Sequence, residues 1–290
     1  MSVRVHHRYA TVDGHRLFYR EAGSAGQPTV VLLHGFPTSS FMFRNLIPAL
    51  EGYRVIAPDH LGFGLSDAPS VAEFGYSFDA LAGLTAGLLD QLGVTRYAIG
   101  VQDYGAPIGW RLALRDPEAV VAVISQNGNG YDEGFVPAGW QGVWDYQRDQ
   151  SPENEAALRE AFTLEAIRSQ YVTGVADESV LSPDTWHLDH ASISRPGNAE
   201  VQLQLFLDYA TNPPLYPALH EWLRARRVPV LAAWGRHDPF FGPDGARAFA
   251  RDSPHAEIHL FDGGHFLLES AGDEVAALIR TFLSKHLPTA

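Results

Sequence analysis

Cysteine is absent from the 290-residue chain, which excludes a disulfide framework, a thiolate metal site and a cysteine nucleophile. Positive charge is scarce. Lys and Arg number 21 against 34 Asp and Glu, and the net charge of −13 argues against nucleic acid or an anionic membrane surface as partner. A small, apolar, uncharged substrate suits such a surface better. Long apolar runs are also missing: no stretch approaches a membrane span, and Met1-Ser2-Val3-Arg4-Val5-His6-His7 lacks the apolar core of a signal peptide. A soluble, cytoplasmic protein is the expectation. Neither an internal repeat nor a low-complexity tract occurs. What the chain has is length, enough to remove about 75% of its unfolded surface from water in one large core.

Short apolar runs alternate with amphipathic ones through the first third. Thr29-Val30-Val31-Leu32-Leu33, Arg54-Val55-Ile56-Ala57 and Val120-Val121-Ala122-Val123-Ile124 are unbroken and rich in β-branched residues, as strands covered on both faces are. Between them, Leu81, Leu84, Leu88 and Leu92 recur at helical steps behind Ser77, a capping residue, which predicts a crossover helix. The opening segments, Arg4 to Tyr9 and His15 to Tyr19, are split by Asp13-Gly14 and predict an antiparallel hairpin at an edge.

After Ile124 the pattern changes. About 85 residues carry tryptophans, tyrosines and polar helix formers without a strand pattern, and predict an inserted helical lid. Within it Val201-Gln202-Leu203-Gln204-Leu205 alternates like a strand, but Gln and Leu favour helix and only Val201 is β-branched. Strand runs resume at Val228 to Trp234 and Glu257 to Phe261, and a closing helix aligns Val275, Leu278, Ile279, Phe282 and Leu283. The expected class is α/β, a mostly parallel sheet with helices on both faces. Residues 1–127 and 216–290 would form the core and 128–215 the lid.

Tyr97 to Val101 is an apolar run that leads through Gln102 to Asp103-Tyr104-Gly105 and then a helical segment. A strand that turns sharply into a helix lifts the side chain at the turn clear of its neighbours, and Gly105 lets the helix leave without a clash. Asp103 would stand at that tip as a nucleophile, or it would cap the helix through its side-chain oxygen. The place two before it, often small in such a turn, is Val101.

Four motifs then fall in one order: His34-Gly35-Phe36-Pro37, Asp103 at the turn, Trp234-Gly235-Arg236-His237-Asp238, and Gly263-Gly264-His265. Together they resemble the α/β-hydrolase family over nearly the whole chain, with nucleophile, acid and histidine in that family's order at strand ends. An aspartate in place of serine resembles the branch holding epoxide hydrolases and haloalkane dehalogenases. The resemblance implies a cis Phe36–Pro37 bond, Asp103 as nucleophile, His265 as base, Asp238 as its orienting acid, and the N–H groups of Phe36 and Tyr104 as an oxyanion hole. His34 is expected to shape the loop that carries that hole. No cofactor and no metal is implied. His187 and His190 share a helical step but have no third ligand in reach, and the Gly-rich stretch from Asp59 to Asp67 lacks the lysine and spacing of a phosphate loop.

A carboxylate is already a nucleophile at neutral pH and suits displacement at saturated carbon, whereas serine must first lose a proton. The leaving group stays open. Opening an epoxide releases an alkoxide, and the epoxide hydrolases place two lid tyrosines opposite the nucleophile to donate to it; Tyr209 resembles the second and Tyr146 is the candidate for the first. For dehalogenation speak Thr38-Ser39-Ser40, Arg44 to Pro48 and Val101. Against it, the halide-holding Asn and Trp of that family are Phe36 and Tyr104 here, though Trp144 would replace one donor. A noncatalytic binding protein is the third possibility, but such a protein has no use for a complete triad.

Overall fold

The computed structural model describes residues 3–289; Met1 and Ser2, the first residues of the stretch expected to lack a signal peptide's apolar core, lie outside them. The first strands, β1 (His6–Val12) and β2 (His15–Ala22), form the antiparallel hairpin, joined at Asp13-Gly14, where both residues take positive φ. Then come β3 (Thr29–Leu33), α1 (Leu46–Ala49), β4 (Arg54–Pro58), α2 (Phe78–Gln91), β5 (Tyr97–Val101), α3 (Gly105–Arg115) and β6 (Val120–Gln126). Six helices follow before the next strand: α4 (Pro137–Arg148), α5 (Pro152–Arg159), α6 (Leu164–Val172), α7 (Pro183–Ile193), α8 (Asn198–Asp208) and α9 (Tyr216–Arg226). The chain closes with β7 (Val230–Gly235), α10 (Pro243–Asp252), β8 (Glu257–Phe261), α11 (Leu267–Ser270) and α12 (Gly272–His286).

The eight strands make one sheet in the order β1-β2-β4-β3-β5-β6-β7-β8, antiparallel at β1-β2-β4 and parallel from β4 onward. Every residue of β3, β4, β5 and β7 is buried, so both faces of the sheet's centre are covered. Helices α2, α3, α9 and α10 pack on one another in succession, while α1 packs on α12. Ser77 caps α2 by accepting from the N–H of Ala80 at 3.1 Å. The alternating stretch Val201 to Leu205 lies in α8: its helix-forming side chains outweigh a period-two pattern with only one β-branched residue.

Within the inserted helices, Gln147 of α4 donates to the carbonyl of Phe206 on α8 at 2.8 Å. The insertion is tied to the loop after β4 by Arg195 and Asn198, which donate to the Gly62 carbonyl at 2.8 and 2.6 Å. Helix α9 instead packs on α3 and α10. Among the described residues no helix is long and apolar enough to cross a membrane.

Candidate active site

Parallel strands end on one side of a sheet, and the crevice there is where such folds bind ligands. The register brings the carboxyl ends of β3, β5, β6 and β7 side by side, with Leu33 beside Val101, Val101 beside Ser125 and Gln126 beside Ala233. Asp103, two residues beyond β5, has φ of 47°, a left-handed conformation that is costly for a residue with a Cβ and recurrent at functional turns. The chain turns into α3 at once. A Cβ on Gly105 would stand 2.0 Å from the Leu33 carbonyl oxygen, so only glycine lets α3 start this close to β3. Asp103 is not a side-chain cap of α3, whose first turn has none. Its Oδ1 accepts instead from the backbone N–H groups of Phe36 at 2.7 Å and Tyr104 at 2.6 Å.

Those donors are held by the loop after β3, in which the Phe36–Pro37 bond is cis. His34 braces the loop: its Nδ1 lies 2.9 Å from the Gly35 carbonyl, and its Nε2 accepts from the N–H of His60 at 3.0 Å. Burial pushes the His34 imidazole down to about 4, so the ring is neutral at physiological pH and can accept. Asp59, at the head of the Gly-rich turn, accepts from the N–H groups of Ser40 and Leu65 at 2.8 and 2.7 Å.

His265 is fully enclosed. Its Nδ1 lies 2.8 Å from Asp238 Oδ2, and its Nε2 lies 3.9 Å from Asp103 Oδ2. Asp238 is fixed in turn: Oδ1 accepts from the N–H groups of Phe240 and Phe241, and Oδ2 from the amide of Asn127 at 2.7 Å. Burial disfavours the imidazolium of His265, but the Asp238 and Asp103 carboxylates outweigh it and raise the ring's pKa. Burial also pushes the Asp103 carboxyl up, opposed by His265 and the two N–H groups.

A cavity of about 250 Å³ opens over Asp103 and His265 and is walled mainly by apolar side chains, among them Phe36, Trp140, Val143, Phe206 and Phe240. Gln170 of α6 also lines it. Tyr146 and Tyr209 are both buried and neither is part of that lining. The Tyr209 ring lies behind the wall, against Trp140 at 4.4 Å and Tyr104 at 6.0 Å between centroids. Trp144 is only partly buried and also stands outside the lining, and the Trp140 indole N–H donates to the Phe240 carbonyl at 3.0 Å.

Three polar residues at this site were not singled out by sequence reasoning. Asn127 opens the Asn127-Gly128-Asn129-Gly130 stretch where the strand pattern ends, Gln102 merely precedes Asp103, and Gln170 is one polar helix former among many in the insertion. Asn127 takes φ of 49°, which asparagine tolerates, and that detail of the Asn-Gly-Asn-Gly stretch carried the only available signal.

The geometry is that of a carboxylate at a strained strand-to-helix turn with an imidazole and second carboxylate behind it. The family model for the α/β-hydrolase fold matches residues 28–271. The chain belongs to the α/β-hydrolase family and is a hydrolase, similar in sequence to haloalkane dehalogenases and in fold to epoxide hydrolases. An uncharacterized hydrolase of Saccharomyces cerevisiae is 41% identical, covering 91% of this chain and 92% of its own. Haloalkane dehalogenase 2 of Mycobacterium tuberculosis is 33% identical over 91% of this chain and 90% of its own. The crystal structure of an epoxide hydrolase from Vigna radiata superposes with a TM-score of 0.74 at 25% identity, covering 97% of this chain and 98% of that one.

Proposed function

We propose that this hydrolase opens a small, apolar, uncharged epoxide to a vicinal diol through an alkyl ester on Asp103. The supporting observation is the unequal treatment of the two Asp103 oxygens: Oδ1 is held by two backbone amides, while Oδ2 lies 3.9 Å from His265 Nε2. In the first step Oδ2 forms a bond to a ring carbon and the carbon–oxygen bond of the epoxide breaks. His265 then takes a proton from water, Asp238 stabilises the imidazolium, and the hydroxide attacks the ester carbonyl. The charge that builds on the carbonyl oxygen falls where the Phe36 and Tyr104 N–H groups already point, and each such donor is worth about 10²–10³ in rate. Collapse releases the diol and restores the carboxylate. The inserted helices act as the cap that closes the cavity over these atoms.

Dehalogenation by the same three residues is the second reading. It is favoured by the cavity lining, which holds neither Tyr146 nor Tyr209, and by the 33%-identical relative named a haloalkane dehalogenase. Against it, the Trp140 indole is spent on Phe240 and offers no N–H to a halide. Intact mass of a His265→Gln protein after exposure to epoxides and, separately, to 1-bromoalkanes tests both. An adduct of whole-epoxide mass on Asp103, formed faster than any alkyl adduct from bromides, is expected. An alkyl adduct that forms faster from bromides, with bromide release, moves the assignment to dehalogenation, and a folded protein labelled by neither sinks the alkyl-ester mechanism.

A further inference from the structure

In a displacement at saturated carbon the leaving atom departs on the side opposite the attacking oxygen. With Asp103 and His265 on the core side of the cavity, that atom moves toward the wall made by the inserted helices. A negative charge arriving there, in a largely apolar space, needs a donor. The obvious donors are already committed. Trp140 Nε1 donates to Phe240, Ser169 Oγ donates to the Ala166 carbonyl at 2.7 Å, and the Phe36 and Tyr104 N–H groups hold Asp103. The Tyr104 hydroxyl is enclosed with no partner and no exposed surface.

Gln170 is different. It is 5% exposed, lines the cavity, and among the described residues its side chain has no hydrogen-bond partner. Its amide atoms are not among the fully enclosed unpartnered polar atoms, so they keep surface in the cavity and an N–H is free to donate to what the cavity holds. Its neighbour Tyr171 pins that part of α6, stacking on Phe266 at 3.9 Å with the rings within 6° of parallel and donating its hydroxyl to Asp189. Phe266 directly follows His265, so the amide is braced against the same segment that carries the base.

We infer that Gln170 is the leaving-group donor: its side-chain N–H binds the ring oxygen of an epoxide, or a halide, as the bond to carbon breaks. This rests on the alkyl-ester reading above. The amide gives a hydrogen bond and keeps its proton. The alkoxide takes a proton from water, and the hydroxide left behind is neutralised by the proton released when the ester is hydrolysed and Asp103 ionises again. A halide leaves as the anion and that proton goes to solvent.

The test measures the rate of adduct formation by intact mass in the His265→Gln protein, with 1,2-epoxybutane, 1-bromobutane and 1-iodobutane as probes. Adding Gln170→Leu should slow labelling by about 10²-fold where the leaving atom carries concentrated charge, and progressively less toward iodide, the best leaving group. Gln170→Glu, which keeps the shape but presents a carboxylate, should be slowed in the same order. Equal slowing with every probe, or none, overturns the assignment, because a packing role has no reason to follow the leaving group. Absence of any adduct with Gln170 intact sinks the alkyl-ester reading and this inference together. Labelling that ignores Gln170 sinks this inference alone.

Discussion

Gln102 Nε2 lies 2.9 Å from His265 Nε2, on the ring nitrogen that faces Asp103. Donating there, the amide favours the neutral ring with its proton on Nδ1, directed at Asp238. Gln102 is fully buried and its Oε1 has no partner, so a rotated amide has an acceptor ready for the Nε2–H that appears when the base takes a proton from water. Gln102→Met should therefore slow hydrolysis of the alkyl-enzyme by about tenfold, the worth of one hydrogen bond, and leave its formation nearly unchanged. Single-turnover kinetics with mass detection separates the two steps. If formation and hydrolysis fall together, the amide is only filling space.

The opposed demands on Asp103 and His265 give a pH signature. Asp103 attacks as the anion, while His265 must be neutral to deprotonate water. Burial is the largest influence on each: it raises the Asp103 carboxyl above its ordinary value, whereas for His265 the carboxylates of Asp238 and Asp103 override it and carry the ring above 6.5. As pH falls through the imidazole's raised pKa, hydrolysis loses about tenfold per unit while alkylation continues down to the carboxyl's own pKa. The wild-type enzyme, quenched during turnover, should carry a growing fraction of alkyl-enzyme as pH falls through the imidazole's raised pKa. A fraction of ester independent of pH would remove His265 as the base.

Asn127 links β6 to Asp238. Its side chain donates to Asp238 Oδ2 at 2.7 Å and accepts from the N–H of Gly235 at 2.9 Å and from Gln126 at 2.9 Å. Because the residue has positive φ, alanine would add backbone strain, and Asn127→Gly isolates the side chain. Removing it leaves the Gly235 N–H buried without a partner, at a cost of about 1–3 kcal/mol, and frees Asp238 to turn. Urea denaturation should show that loss, and hydrolysis of the alkyl-enzyme should slow about tenfold with its formation spared. Full stability in the variant would mean that water replaces the amide.

The strands were legible in the sequence because apolar, largely β-branched runs announce them locally, and Asp103 because a glycine follows it where a strand turns into a helix, whereas Asp238 and His265 stood out only through the order of motifs that resembles the α/β-hydrolase family. The β8 run from Glu257 to Phe261 and the closing helix obeyed the same local rules. The polar residues around the triad were not legible. Gln102 and Gln170 matter through what faces them across the fold, and nothing in their own neighbourhood distinguishes them from solvated glutamines. Tyr146 and Tyr209 illustrate the converse: aromatic residues in an inserted helical segment look alike in sequence, whether they line a cavity or pack behind its wall.

Asp189 provides a stability prediction that reaches the site. It is buried on α7, accepts from the Tyr171 hydroxyl, and burial pushes its carboxyl up to about 7, with Glu269 adding to the rise and Tyr171, Thr38 and Arg44 opposing it. An unfolded Asp titrates near 3.9, so between about pH 4 and pH 7 the folded protein holds a proton that the unfolded chain has lost. Stability therefore falls as pH rises through that window, by at most ~4 kcal/mol for a shift of about three units. Asp189→Asn keeps an acceptor for Tyr171 and cannot ionise. Its urea midpoint should change less between pH 5 and pH 8 than that of the wild type, and should lie above the wild type at the higher pH. Tyr171 stacks on Phe266 and directly follows Gln170, so the substitution should also hold the alkylation rate more nearly constant across that range. Parallel stability profiles for the two proteins would show that Asp189 is ionised throughout, and that the tie between α6 and α7 does not depend on its proton.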